Sequence, residues 1–234
     1  FTERLVPVMA AIYLAGAMLV LFFYRDRIAG AFALIFQEAF RSSAAVGGVA
    51  GYSMKQAVRM GIARGIFSNE AGLGSSVMAH AQSDVEDPKV QGMWGILEVF
   101  IDTVLVCTIT ALVILVSQVP YWQAGEIDGT TLTGMAFASV IPWGKEFLAG
   151  ATALFAFATM IGWFYFGAQT ADYLAGEKGV KVYRFCYILI TLPGCMIAPT
   201  MIWELSDALN GMMAVPNLLA LFFLGKEVAY VGKK

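Results

Sequence analysis

The sequence predicts an all-α integral membrane protein of about seven transmembrane helices, one of them broken. Hydrophobic residues make up 59% of the 234 positions and charged residues only 14%, whereas a soluble domain is about one-quarter charged. The apolar residues fall into runs of about 20, the length needed to cross a bilayer. One run is interrupted by glycine and charge, which predicts a break in its helix.

The predicted crossings are the apolar runs between charged and turn-forming segments. In chain order they span residues 5–24, 28–46, 55–81, 91–117, 147–173, 183–202 and 208–224. The longest connection, 118–146, carries Trp122 and Trp143, residues typical of bilayer interfaces. Its middle, 131–141, is predicted to form a short interfacial helix before Pro142.

Lysine and arginine predict the orientation of the chain. One set of connections and the tail carry Arg25, Arg27, Lys89, Lys178, Lys181, Arg184, Lys226, Lys233 and Lys234. The opposite side carries Arg4, Lys55, Arg59 and Lys145, with Arg41 near a helix end. By the positive-inside rule, the richer side is cytoplasmic. We therefore expect a multi-pass protein of the cell (inner) membrane with a cytoplasmic C-terminus.

Several functional classes are disfavoured by composition. A net charge of −2 without a basic, aromatic-rich stripe argues against a nucleic-acid partner. The three cysteines lie in apolar runs at no metal-binding spacing, so we expect no metal site of this kind. A lone histidine cannot form a two-histidine zinc site. Ser75 and His80 are five residues apart, a poor spacing for a nucleophile and its base, so an intramembrane hydrolase is disfavoured and no enzyme activity is expected.

The third crossing contains the strongest functional signal. Residues 61–76 read GIARGIFSNEAGLGSS and combine four glycines before Ser75 with Arg64, Asn69 and Glu70. Intramembrane charge is costly and usually functional. A break between about residues 67 and 75 would free backbone carbonyls and amides to bind the ammonium and carboxylate of an amino acid, or a sodium ion. The alternative, close helix packing, applies to Gly61 and Gly65 at their GxxxG spacing.

Two further pairs lie at helical i,i+4 spacing. Thr159 and Trp163 share one face of the fifth crossing, where a hydroxyl can bind sodium or an ammonium and an indole can wall a small side chain. Simple packing between helices is the alternative. Glu98 and Asp102 share a face of the fourth crossing. They predict either a proton or cation relay or an ion pair that closes a gate, with Arg64 as one partner.

Long ordered motifs then connect these features to a known family. They are 64–75 (RGIFSNEAGLGS), 79–81 (AHA), Pro88, 91–92 (QG), 98–103 (EVFIDT), 107–108 (CT), 155–157 (FAF), Thr159, 162–163 (GW) and 216–218 (PNL). Together they resemble the signature of the alanine/glycine:cation symporter family, along nearly the whole chain.

The resemblance implies uptake of alanine, glycine or a similar small amino acid, coupled to sodium or a proton, without an organic cofactor. It also implies a LeuT-type inverted-repeat fold of about eleven helices. Residues 1–54 would end repeat one, 55–225 would form repeat two, and 226–234 would be a cytoplasmic tail. The partner would be an N-terminal half holding the first broken helix, without which we expect no coupled uptake.

The resemblance also assigns residues to roles. Substrate-binding residues would be Phe67, Ser68, Asn69, Gly72, Thr159 and Trp163, and Thr159 would also bind sodium. The family commonly has two adjacent threonines here, whereas this chain has Ala158-Thr159. Gating or ion-pair candidates are Arg64, Glu70, Glu98 and Asp102. A channel or a structural membrane subunit is the rival interpretation, and saturable sodium-dependent flux would exclude it.

Overall fold

The computed structural model describes residues 2–40, 49–120 and 129–231, which form helices and turns without a β-strand. The α-helices are α1 Thr2–Phe23, α2 Ile28–Phe40, α3 Val49–Asn69, α4 Ser76–His80, α5 Pro88–Val99, α6 Thr108–Val116, α7 Gly129–Ala138, α8 Gly144–Gly194 and α9 Pro199–Val231. A short 3₁₀ helix, Arg25–Arg27, joins α1 to α2, and a π-helix, Phe100–Cys107, joins α5 to α6. The all-helical prediction is confirmed.

Four helical segments in the described residues are long and apolar enough to cross a membrane. They are Arg4–Phe23, Pro88–Val116, Gly144–Gly194 and Thr200–Gly225. The third is 51 residues long, and Gly176 interrupts it at φ 61° and ψ −158°. Ring contacts of Phe164 with Tyr183 (5.8 Å) and Tyr187 (5.4 Å) show that the two parts of α8 fold back on each other. The fifth predicted crossing and most of the sixth thus fall within α8.

Two predicted crossings differ from the helices observed. The second reaches Val46 in the sequence, whereas α2 ends at Phe40 and residues 41–48 lie outside the described part. The predicted end of the sixth, at Ile202, is wrong because α9 already begins at Pro199. Proline suits the first helical turn, since its missing N–H needs no partner there. Residues 203–207, which separate the sixth and seventh predicted crossings, are therefore helical.

The chain divides into two compact units, each built from two separate stretches of sequence. The first unit comprises residues 1–51 and 101–160. Its core packs α1, α2, α6 and α7 around Val20, Val113 and Phe137, whose side chains are almost fully buried. The hydroxyls of Tyr13 and Thr110 share a hydrogen bond of 2.7 Å between α1 and α6.

The helix predicted in the long connection is confirmed as α7, but its environment differs from the interfacial one predicted. It begins two residues earlier than predicted and ends at Ala138. Leu132, Ala136 and Phe137 lie in the core of the first unit instead of on its surface. Trp143 follows and meets Phe147 edge to face at 5.7 Å between ring centroids, while Trp122 lies outside the described residues.

The second unit comprises residues 52–100 and 161–234. It holds most of α3, all of α4 and α5, the later part of α8, and α9. Among its described residues, only Leu73 and Ser75 are buried, both between α3 and α4. The predicted division into repeats at residues 1–54 and 55–225 stays a prediction.

Candidate functional site: a polar cavity at a helix break

The third predicted crossing is broken, as its sequence indicates. Helix α3 ends at Asn69 and α4 begins at Ser76, with turns and bends between them. Three residues of this segment have positive φ: Glu70 at 50°, Gly72 at 75° and Gly74 at 82°. Left-handed backbone suits glycine but costs other residues about 1–2 kcal/mol. We call residues 70–75 the break.

Side-chain hydrogen bonds hold the two ends of the break. The Ser75 hydroxyl is buried and donates to Glu70 Oε2 at 2.6 Å. Asn69 Nδ2 donates to the Gly65 carbonyl at 2.9 Å, one helical turn earlier in α3. These contacts compensate for the strained backbone at Glu70, so the break is a defined local structure.

A small cavity of about 150 Å³ opens beside the break. Its walls are Ser68, Asn69, Glu70, Ser76, Ala79, His80, Glu98 and Phe166. Hydroxyl, amide and carboxylate groups therefore face one space, and neither lysine nor arginine lines it. Such a set of oxygens suits a cation or an ammonium group.

The cavity gathers four residues that the sequence analysis singled out separately. Ser68, Asn69 and Glu70 come from the end of α3 and the start of the break, and Glu98 comes from α5. Phe67 and Gly72 are not among the wall residues of this cavity. Ser76, His80 and Phe166 were not predicted as site residues, although Ser76 directly follows the glycine-rich motif.

His80 connects the cavity to α5. Ser83 Oγ donates to Gln91 Oε1 at 2.9 Å, so the Gln91 amide nitrogen is free to donate to His80 Nδ1 at 2.7 Å. That arrangement leaves the proton on His80 Nε2, which lies 3.7 Å from Glu98 Oε2. The histidine is thus hydrogen-bonded and also lines the cavity.

Arg64 of α3 forms an ion pair with a residue of α9. Its Nη2 donates to both carboxylate oxygens of Asp207 in α9, at 2.7 and 2.6 Å. The observed partner of Arg64 is thus Asp207, inside α9, and a role for Glu98 or Asp102 as its partner stays a prediction. The other guanidinium nitrogens, Nε and Nη1, are buried without a hydrogen-bond partner among the described residues.

Aromatic rings surround this ion pair. The Arg64 guanidinium lies 4.2 Å from the centroid of the Trp203 ring, within the range of a cation–π contact. Phe67 meets the same indole edge to face at 5.5 Å. Trp203 and Asp207 are one helical turn apart in α9, a spacing that the sequence offered but that carries no signal without its partner Arg64.

Three predicted site residues lie elsewhere in the chain. Thr159 belongs to the first unit, whereas Trp163, one turn later in α8, belongs to the second. Trp163 meets Phe166, a wall residue of the cavity, edge to face at 6.0 Å between ring centroids. Asp102 lies in the π-helix that follows α5 and is not a wall residue. The approach of Thr159 to the break stays a prediction.

These features define a class of protein: an all-helical, multi-pass membrane protein whose broken helix borders a polar cavity. The particular family follows from comparison, since the sodium:alanine symporter family matches the chain over residues 1–234. The chain belongs to that family.

Curated relatives include proteins named for amino-acid transport. The sodium/alanine symporter AgcS of Methanococcus maripaludis is 35% identical over 228 residues, which cover 97% of this chain and 49% of the relative. The probable sodium/glutamine symporter GlnT of Bacillus subtilis is 36% identical over 97% of this chain and 46% of its own length. The amino-acid carrier protein AlsT, also of B. subtilis, is 34% identical over 98% and 48%. The chain spans about half the length of these relatives.

Proposed function

We propose that this chain provides the second repeat of a secondary transporter that takes up alanine, glycine or a similar small amino acid with sodium. One observation carries the proposal: the break brings Ser68, Asn69 and Glu70 together with Glu98 around one small polar cavity. Membership of the sodium:alanine symporter family supports it. Substrate sites of such carriers are formed by broken helices near the middle of the bilayer.

The cavity suits the positive end of an amino acid or the coupling ion. Glu70 and Glu98 provide negative charge, and the hydroxyls of Ser68 and Ser76 provide neutral oxygens. A volume of about 150 Å³ is small beside the roughly 300–1,000 Å³ of sites for drug-sized ligands. The size favours a small substrate.

The rest of the assignment is also a proposal. It includes a LeuT-type fold, seven crossings in this chain, and a cytoplasmic C-terminus. Trp163 would place Phe166 against the substrate, and Thr159 would give sodium one side-chain oxygen. Arg64 and Asp207 would close the site from the side of α9, since opening a path there must separate two paired charges.

The direct test is transport by the full-length protein in proteoliposomes. Saturable alanine uptake that follows an inward sodium gradient, and stops when potassium replaces sodium, would support a sodium-coupled carrier. Equal uptake driven by a proton gradient would show that the coupling ion is the proton instead of sodium. Flux that rises linearly with alanine concentration would contradict a carrier and favour a channel.

The sodium role of Thr159 has its own test. Thr159→Ala should raise the sodium concentration for half-maximal uptake about tenfold, because a ligand oxygen is lost. Thr159→Ser keeps the hydroxyl and should stay close to wild type. Equal sodium dependence in all three proteins would show that Thr159 does not bind the ion.

A further inference from the structure

Asn217, in the middle of α9, makes a contact across 145 residues of sequence. Its Nδ2 donates to the Gly72 carbonyl at 2.9 Å. Gly72 is one of the left-handed residues of the break, so its carbonyl has left the helical hydrogen-bond ladder. Asn217 belongs to the motif 216–218, one of those that resemble the family signature.

Gly74, two residues after Gly72, lies against the same Asn217 side chain. A Cβ at Gly74 would lie 2.8 Å from Asn217 Oδ1 and 3.3 Å from its Cβ. Gly74 also has a φ of 82°, which disfavours any side chain. The carboxamide of Asn217 therefore reaches Gly72 by passing over a residue without a side chain.

Helix α9 contacts the α3 side of the site at two points. Asp207 binds Arg64 in α3, and Asn217 binds the break itself. Ten residues separate Asp207 and Asn217, or about 15 Å along a helix. Helix α9 thus contacts both the last turns of α3 and the unwound backbone of the break.

We propose that Asn217 is the positioning residue of the break: it engages the Gly72 carbonyl and so fixes the orientation of the remaining carbonyls and amides that receive the substrate. The inference rests on the proposed transport function. It predicts that Asn217 acts on substrate binding without touching the substrate.

Asn217→Asp tests the role with little change in shape. The carboxylate cannot donate to the Gly72 carbonyl, so the alanine concentration for half-maximal uptake by the full-length protein should rise about tenfold. The maximal rate, normalised to protein in the membrane, should fall less than threefold. Asn210→Asp, on the same helix, is the matched control and should leave both values unchanged. An unchanged half-saturation concentration in Asn217→Asp would overturn the positioning role. So would a tenfold fall in the maximal rate without a change in that concentration.

A cross-link tests the contact independently of transport. In a full-length protein without other cysteines, Gly74→Cys combined with Asn217→Cys should form a disulfide on mild oxidation, because the Cβ separation of 3.3 Å is close to the 3.5–4.5 Å of disulfides. Gly65→Cys with Asn217→Cys should not. Failure to cross-link at Gly74 would overturn the contact. If the disulfide forms but wild-type protein carries no alanine, the contact stands while the transport function, and with it the positioning role, fails.

Discussion

Arg64 illustrates how a single charge is accommodated near the end of α3. Its guanidinium is paired with Asp207 and lies over the Trp203 indole. Both charges of the pair are still about one-third exposed, so solvent screening reduces the strength of the pair in this environment. Removing one partner leaves the other charge uncompensated, which usually costs more than removing both.

A double-mutant cycle at Arg64 and Asp207 tests this pair. Arg64→Gln and Asp207→Asn should each lower sodium-driven alanine uptake about tenfold or more, and the double variant should recover part of that loss. Glu204→Gln, an exposed carboxylate on the same helix, is the control and should transport normally. Uptake should be normalised to the amount of protein in the membrane. Strictly additive effects of the two substitutions would show that the ion pair has no role in transport.

Residue types predicted part of the site and missed its long-range contacts. Ser68, Asn69 and Glu70 stand in one motif that local sequence identifies, and Glu98 stands out as an intramembrane charge. Asp207 and Asn217 act through Arg64 and Gly72, which lie 143 and 145 residues away. Such pairings depend on how helices pack, which a local pattern cannot show.

The break is the element that positions the site, and its glycines are not equivalent. Gly72 and Gly74 have left-handed backbone, and only Gly74 faces the Asn217 side chain closely. Gly61 and Gly65 are helical, and no described atom lies within 4 Å of a Cβ placed there. The packing interpretation of that GxxxG pair therefore finds no support in the described residues.

Alanine substitutions should separate these glycines. Gly74→Ala should destabilise the protein most, because it combines left-handed strain of about 1–2 kcal/mol with the clash against Asn217. Gly72→Ala carries the strain alone, since its Cβ would meet Leu218 at an ordinary 3.7 Å. Gly65→Ala should be neutral or slightly stabilising, because alanine favours helix. Thermal unfolding in detergent measures the order, and a loss at Gly65→Ala equal to that at Gly74→Ala would contradict the account.

Element boundaries were predicted less well where charge and tertiary contact compete. The segment around Asp207 reads as a connection because it is polar, yet it lies inside α9, where Asp207 pairs with Arg64. The helix at 129–138 reads as interfacial, yet Phe137 is fully buried in the first unit. For the helix at 129–138 the local signal was correct in kind, and in both cases packing determined the final environment.

At the scale of the whole molecule, the apolar surface fits a protein in lipid. The most apolar stretch of α9 has none of its residues buried, and Phe222 and Phe223 are 80% and 75% exposed. Exposed apolar area of this extent marks a membrane or protein contact. Composition predicted this directly, because hydrophobic runs of bilayer length need no knowledge of packing.

Protection of a cysteine at the break is the measurement that tests the central claim most directly. The full-length protein, with its native cysteines replaced, would carry Ser68→Cys in the cavity wall or, as control, Ser83→Cys outside that wall. Modification by a small maleimide would be timed with and without alanine, in sodium and in potassium. Alanine in sodium should slow modification at position 68 about tenfold and leave position 83 unchanged. Equal modification rates at position 68 in all conditions would contradict a substrate site at the break.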